Sequence, residues 1–201
     1  MLQHFRPALI LLLLLTAVTG LAYPLAATGV AQVAFAGRAN GSLVERNGAV
    51  IGSALVGQNF VSERYFHGRP SATSAPDPAD AAKTVDAPYN AANSSGANLG
   101  PTSQKLIDRV KSDADAWRKK VGAGAIPGDA LTTSASGLDP HVSPQTALAQ
   151  AAGVAKARGL TESSVRDLVA RETEQPLLGF LGEPRVNVLK LNLALDRLGS
   201  G

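Results

Sequence analysis

Residues 7–37 read PALILLLLLTAVTGLAYPLAATGVAQVAFAG, with no charged side chain from Pro7 to Gly37. A helix needs about 20 apolar residues to cross a bilayer, so this run spans one with turns to spare. The competing reading is a cleaved signal peptide, with His4-Phe5-Arg6 as its basic end and Ala34-Phe35-Ala36 before Gly37 as its small-x-small cleavage site. A signal's apolar stretch is roughly 7–15 residues, about half of what stands here. A retained transmembrane segment over 7–37, with its core at about 9–33, is therefore expected. Pro24 lies inside it, where it removes a helix hydrogen bond and crowds the carbonyl of Gly20. Thr16/Gly20, Ala22/Ala26 and Ala27/Ala31 are small residues four apart, a spacing that admits a second helix closely.

Either side of the run, the charges nearly tie. Arg6 and the α-amino group precede it; Arg38 and Arg46, offset by Glu45, follow it. Residues 1–6 are read as a cytoplasmic N-terminus and 38–201 as the translocated part, since long domains cross largely regardless of flanking charge. The 201-residue chain carries 19 Lys+Arg against 16 Asp+Glu, a net +3. These charges are scattered, and Arg118-Lys119-Lys120 is the one basic cluster, which argues against a nucleic-acid footprint. Having no cysteine, the chain has no disulfide framework, thiolate zinc site or Cys nucleophile.

Residues 38–201 suffice for one packed domain. Ser42–Arg46 and Ala49–Val56 flank Asn47-Gly48, the signature of a hairpin with a type I′ turn. Residues 71–103 hold only Val85, Tyr89 and Leu99 as large apolar residues and read as a long polar loop. Leu106, Val110, Ala114, Trp117 and Val121 then follow helical spacing between a cap at Ser103 and a stop at Gly122. A second helix opens with Ser143 as N-cap and Pro144 at N1, and ends at Arg158-Gly159. A third opens at Thr161 and stops before Pro176, and a fourth places Val188, Leu191, Leu195 and Leu198 on one stripe before Gly199. The expected fold class is one N-terminal transmembrane helix followed by a single mixed α+β extracytoplasmic domain.

Catalytic motifs are missing. No lysine follows a glycine, as a phosphate-cradling loop requires, and there is neither a Ser-x-x-Lys nor a Gly-x-Ser-x-Gly nucleophile. Pro127 stands where a dinucleotide loop starting at Gly122-Ala123-Gly124 needs its third glycine. His4, His67 and His141 lie far apart, so no local metal site is indicated. Asp139-Pro140-His141 reads as a Pro-fixed turn leading into the Ser143 cap. No catalytic or metal-binding residue is therefore expected. The polar stretch Tyr89–Gly100 is rich in amides and hydroxyls, which suit docking better than acid–base work.

Gly52-Ser53-x-Leu55-Val56-Gly57-Gln58-Asn59-Phe60, Tyr65-Phe66-x-Gly68-Arg69-Pro70-Ser71, Tyr89-Asn90-Ala91-Ala92 and Ser95-Gly96-x-Asn98-Leu99-Gly100-Pro101-Thr102 resemble the C subunit of the potassium-transporting Kdp ATPase. Thr133–Pro144 and Gly182-Glu183-Pro184-Arg185-Val186-Asn187-Val188-Leu189-x-Leu191-Asn192 extend the likeness, in order, over nearly the whole chain. It departs after Gln150, where Gly153-Val154-Ala155 stands in place of the family's usual Arg-Val-Ala. The resemblance implies an accessory, non-catalytic subunit of a high-affinity ATP-driven potassium uptake complex in the bacterial inner membrane. Its implied partners are a P-type ATPase subunit, a channel-like potassium-translocating subunit and a small single-span subunit. It further implies a catalytic chaperone that raises the ATP affinity of the ATPase subunit. No cofactor of its own is implied; ATP enters through the complex, with Gln150 as a candidate nucleotide contact. Two rivals stay open: an exported hydrolase released at Ala36, and a membrane-anchored envelope binding or scaffold module with no ATPase partner.

Overall fold

The computed structural model describes residues 2–199 except residue 81, and the side chains from residue 3 onward. The chain divides into two compact units, Met1–Ser53 and Ala54–Gly201.

In the first unit one continuous helical rod, Gln3–Ala34, is long and apolar enough to cross a membrane. Its 32 residues extend about 48 Å at 1.5 Å per residue, well beyond the hydrocarbon core. It comprises α1 (Leu2–Ala17), a π-helical turn (Val18–Ala22) and α2 (Tyr23–Ala34). The widened turn sits directly before Pro24 and has a physical cause. Proline offers no N–H to the preceding turn, and its ring crowds the carbonyl four residues back. Shifting to an i→i+5 pattern, with Tyr23 N–H donating to the Val18 carbonyl, keeps the rod continuous. Thr19 Oγ1 donates 2.7 Å to the Leu15 carbonyl in the same stretch. After the short α3 (Ala36–Ala39), strands β1 (Leu43–Arg46) and β2 (Ala49–Ser53) form an antiparallel hairpin. Asn47 (φ 53°) and Gly48 (φ 77°) both take positive φ, as a type I′ turn requires. The second strand stops at Ser53, three residues short of the apolar run that suggested it.

The second unit is a mixed helix–sheet domain. Its helices are α4 (Gln104–Val121), α5 (Pro144–Arg158), α6 (Glu162–Arg171) and α7 (Val188–Leu198). All four fall where the sequence places them, although Ser103, the expected cap of α4, makes no side-chain cap bond. Ser143 accepts from Thr146 N–H, Thr161 from Ser164 N–H and Asn187 from Lys190 N–H, each filling an orphan donor of a first turn. Residues 71–103 are not bare loop: β3 (Ser74–Pro76) and β4 (Thr84–Asp86) pair within them. A further three-stranded antiparallel sheet, ordered β5 (His141–Val142), β7 (Arg185–Asn187), β6 (Thr173–Glu174), ties the helices together. Against it Ala147, Ala151, Val154 and Ala155 of α5, Val165, Leu168 and Val169 of α6, and Leu191 and Leu195 of α7 make one core with Phe66. The alanines of α5 let the neighbouring helix α6 approach closely.

The polar segment is braced from within. Ser71 Oγ donates to the Gly137 carbonyl at 2.8 Å, and Thr73 Oγ1 to that of Ala87 at 2.6 Å. Tyr89 hydroxyl donates to the Arg69 carbonyl at 2.7 Å. Gly137 closes the arrangement with φ 68°, where an added Cβ would lie 2.6 Å from Thr73 Cγ2 and 2.7 Å from the Ser95 carbonyl oxygen. A side chain there is refused twice, by the backbone conformation and by the space. Gly137→Ala is expected to destabilise the domain by about 2 kcal/mol or more, read as a lowered unfolding midpoint of the full chain in detergent.

Candidate functional site

Tyr65-Phe66-His67 is an irregular segment with no strand neighbours to satisfy its backbone. Two side-chain amides do so instead. Asn192 of α7 accepts Phe66 N–H at 2.9 Å and donates to the Phe66 carbonyl at 3.0 Å. Gln150 of α5 accepts His67 N–H at 2.9 Å and donates to the His67 carbonyl at 3.2 Å, sharing its amide with the Thr146 carbonyl at 3.2 Å. Both amides are buried and mimic a strand partner for consecutive residues. They seat the Phe66 ring, which is fully enclosed in the core.

A third fastening comes from Arg158 at the end of α5. It pairs with Asp196 at 2.8 Å, donates through Nε to the Arg64 carbonyl at 2.6 Å, and lies 4.7 Å from the centre of the Tyr65 ring. The Arg158 side chain is only 6% exposed, so this ion pair is shielded from solvent and breaking it would strand a charge.

Beside this segment opens a cleft of about 680 Å³. Lys119 and Lys120 from α4, Lys156 from α5, His67 and Gln150 line it, with Glu63 as the acidic member. Gly153, exposed on α5, faces open space; no heavy atom lies within 4 Å of where its Cβ would be. Burial, then the charge of Lys120, pushes the His67 imidazole below its ordinary range, so at neutral pH the ring is neutral and able to accept. Lys120 Nζ and His67 Nε2 are in direct contact. Burial also draws Lys120 down. Three lysines against one glutamate give the cleft a positive lining.

A second polar cluster surrounds the turn at Asp139. Burial pushes the Asp139 carboxyl up, but hydrogen bonds from the His141 ring and backbone, with the Arg69 charge, outweigh this and hold it low. Arg69 pairs with it at 3.2 Å. Tyr89, pushed up to about 12 by burial and then by Asp139, keeps its proton. Ser143 Oγ donates to Asp129 at 2.9 Å and caps α5, so this hydroxyl serves the helix end. The Asp-Pro-His sequence is a structural turn. Among the described residues no group of three or more His, Asp or Glu side chains is placed to hold a metal ion.

Gln150, the one site residue that the sequence singled out, lies against His67, while Arg158 at the end of the same helix fastens residues 64 and 65. Lys119, Lys120 and Lys156 were not singled out as a site, and only the basic Arg118-Lys119-Lys120 run hinted at two of them. Asn192 gave no signal beyond a polar position beside the apolar stripe of α7.

The chain thus joins a helix long and apolar enough to cross a membrane to a mixed helix–sheet domain, and comparison with known proteins supplies the lineage. The family described as K+-transporting ATPase, c chain, matches residues 5–197. The potassium-transporting ATPase KdpC subunit of Bradyrhizobium diazoefficiens is 61% identical over 197 residues, covering 98% of both chains. That of Rhodopseudomonas palustris is 63% identical over 196 residues and that of Methylobacterium nodulans 60% over 198, again with 98% coverage of each chain. The chain belongs to the C-chain family of potassium-transporting ATPases.

Removing the Gln150 amide leaves the buried His67 N–H without a partner, at about 1–3 kcal/mol, and loses the two bonds that it donates. Gln150→Ala is expected to lower stability by about 2–4 kcal/mol in thermal unfolding of the full chain. Gln150→Glu should not rescue it, because a carboxylate cannot donate to the His67 and Thr146 carbonyls.

Proposed function

We propose that this chain acts as the accessory, non-catalytic subunit of an ATP-driven potassium uptake complex and raises the ATP affinity of a P-type ATPase subunit without touching nucleotide itself. Family membership supports the complex. The observation that carries the indirect route is the state of Gln150: both ends of its amide are spent on the chain's own backbone. The absence of a phosphate-cradling loop from the sequence points the same way.

In this reading residues 1–6 lie in the cytoplasm, the helix crosses the inner membrane, and the remainder stands outside. A domain outside the cell cannot meet cytoplasmic ATP. It acts by binding one conformation of its ATPase partner more tightly than the other, which is the one way a bound protein shifts a distant equilibrium. Such couplings are typically about 1–3 kcal/mol, or roughly 5- to 150-fold. The channel-like and single-span subunits complete the assembly.

A second reading is favoured by the three lysines of the cleft. With the domain on the cytoplasmic side, Lys119, Lys120 and Lys156 would face nucleotide phosphates, and Gln150 at the cleft floor would become the nucleotide contact.

Two measurements separate them. Without this chain, the ATPase subunit should need about fivefold more ATP or higher for half-saturation; an unchanged value would remove the chaperone role. Ser103→Cys introduces the only thiol, at a half-exposed position whose own hydroxyl makes no cap bond. A membrane-impermeant thiol reagent should label it in cells whose inner membrane is intact, whereas labelling only after permeabilisation would favour the second reading.

A further inference from the structure

Strand β6 leads into β7 through Gln175-Pro176-Leu177-Leu178-Gly179-Phe180-Leu181-Gly182, a stretch with no charge. Its four large side chains are turned outward: Leu177 is 70% exposed, Leu178 74%, Phe180 73% and Leu181 51%. Four large apolar side chains projecting together from one short stretch mark a surface that something covers. It is also rigidly shaped. Leu177 bridges Leu181, and the amides of Gly179, Phe180 and Leu181 donate to the Pro176 and Leu177 carbonyls. Leu178 is held at φ 56°, a backbone region that a branched side chain avoids, with Gly179 (φ 80°) and Gly182 (φ 102°) completing the reversal.

That strain discriminates between occupants. A lipid surface rewards apolar area and is indifferent to shape; a protein socket rewards a fixed knob. Lipid-seated loops carry Trp, Tyr, Lys or Arg to hold them at the headgroups, and residues 175–182 have none. Glu174 and Glu183 flank the stretch. Glu174 is fixed by Arg185 at 3.1 Å and Lys190 at 3.0 Å, and the hydrogen bond from Lys190 is the main reason its carboxyl is held below the usual range. An apolar centre with a salt-bridged polar rim is the anatomy of a protein interface. We infer that the Leu177–Leu181 knob docks into an apolar socket on another protein subunit of the potassium-transporting complex. The inference rests on the accessory-subunit reading and names the surface through which it assembles.

The test uses affinity-tagged full-length chain in its own membranes, with photoreactive benzoylphenylalanine in place of Phe180. Illumination should yield an adduct whose mass spectrum contains a peptide from a subunit of the same ATPase. Adding Leu178→Asn, which suits the left-handed backbone but removes the apolar contact, should cut that adduct at least fivefold with no fall in the unfolding midpoint. If the tagged wild-type chain co-purifies with the ATPase subunits while position 180 yields lipid adducts, unrelated proteins or none, the knob is overturned and the accessory role stands. If the wild-type chain brings down no P-type ATPase subunit, the accessory role falls and takes the socket with it.

Discussion

The second unit depends on two buried amides doing the work of a missing strand. Phe66 brings a large ring to the core, but its segment has no ladder to join, and unpaired buried backbone groups are costly. Asn192 and Gln150 remove that cost by offering one donor and one acceptor each to consecutive residues. The arrangement ties α5 and α7 to the early chain, and Arg158 adds a charged fastening one residue further on. Loss of either amide would expel the aromatic ring or leave its backbone dry and unbonded.

From that fastening the surroundings follow. Fixing Tyr65–His67 sets the His67 ring against Lys120 and so forms one wall of the lysine-lined cleft. Gly153, which also lines the cleft, leaves open space there. Arg69 links the Asp139 carboxylate to the Tyr89 hydroxyl, and Asp129 separately holds the start of α5 through Ser143 and Thr146. The buried amides and the Asp129 carboxylate thus act here as partners for the chain's own backbone.

Much of this was legible in the sequence. The uncharged run declared a helix long and apolar enough to cross a membrane; Ser143-Pro144, Thr161 and Gly159 declared helix ends; Asn47-Gly48 declared the hairpin. These are local signals, and local physics decides them. Strands of two or three residues, such as β5 and β6, are too short for an alternating pattern to stand out, and within the polar segment β3 and β4 carry almost no apolar side chains. The amide clamps were invisible for another reason. Neither side chain titrates, and no spacing relates Gln150 to His67 or Asn192 to Phe66. Gln150 was noticed through resemblance, as a ligand contact; its hydrogen bonds give it a place in the fold.

The clamps also set an order of events during synthesis. The bonds of Gln150 close across 83 residues and those of Asn192 across 126. Contacts of such separation carry the entropy of large loops and form late. Phe66 therefore cannot be seated until α7, with Asn192 126 residues further along the chain, has emerged. Until then the nascent chain has its core aromatic without a socket, and the early and late halves of the domain mature together.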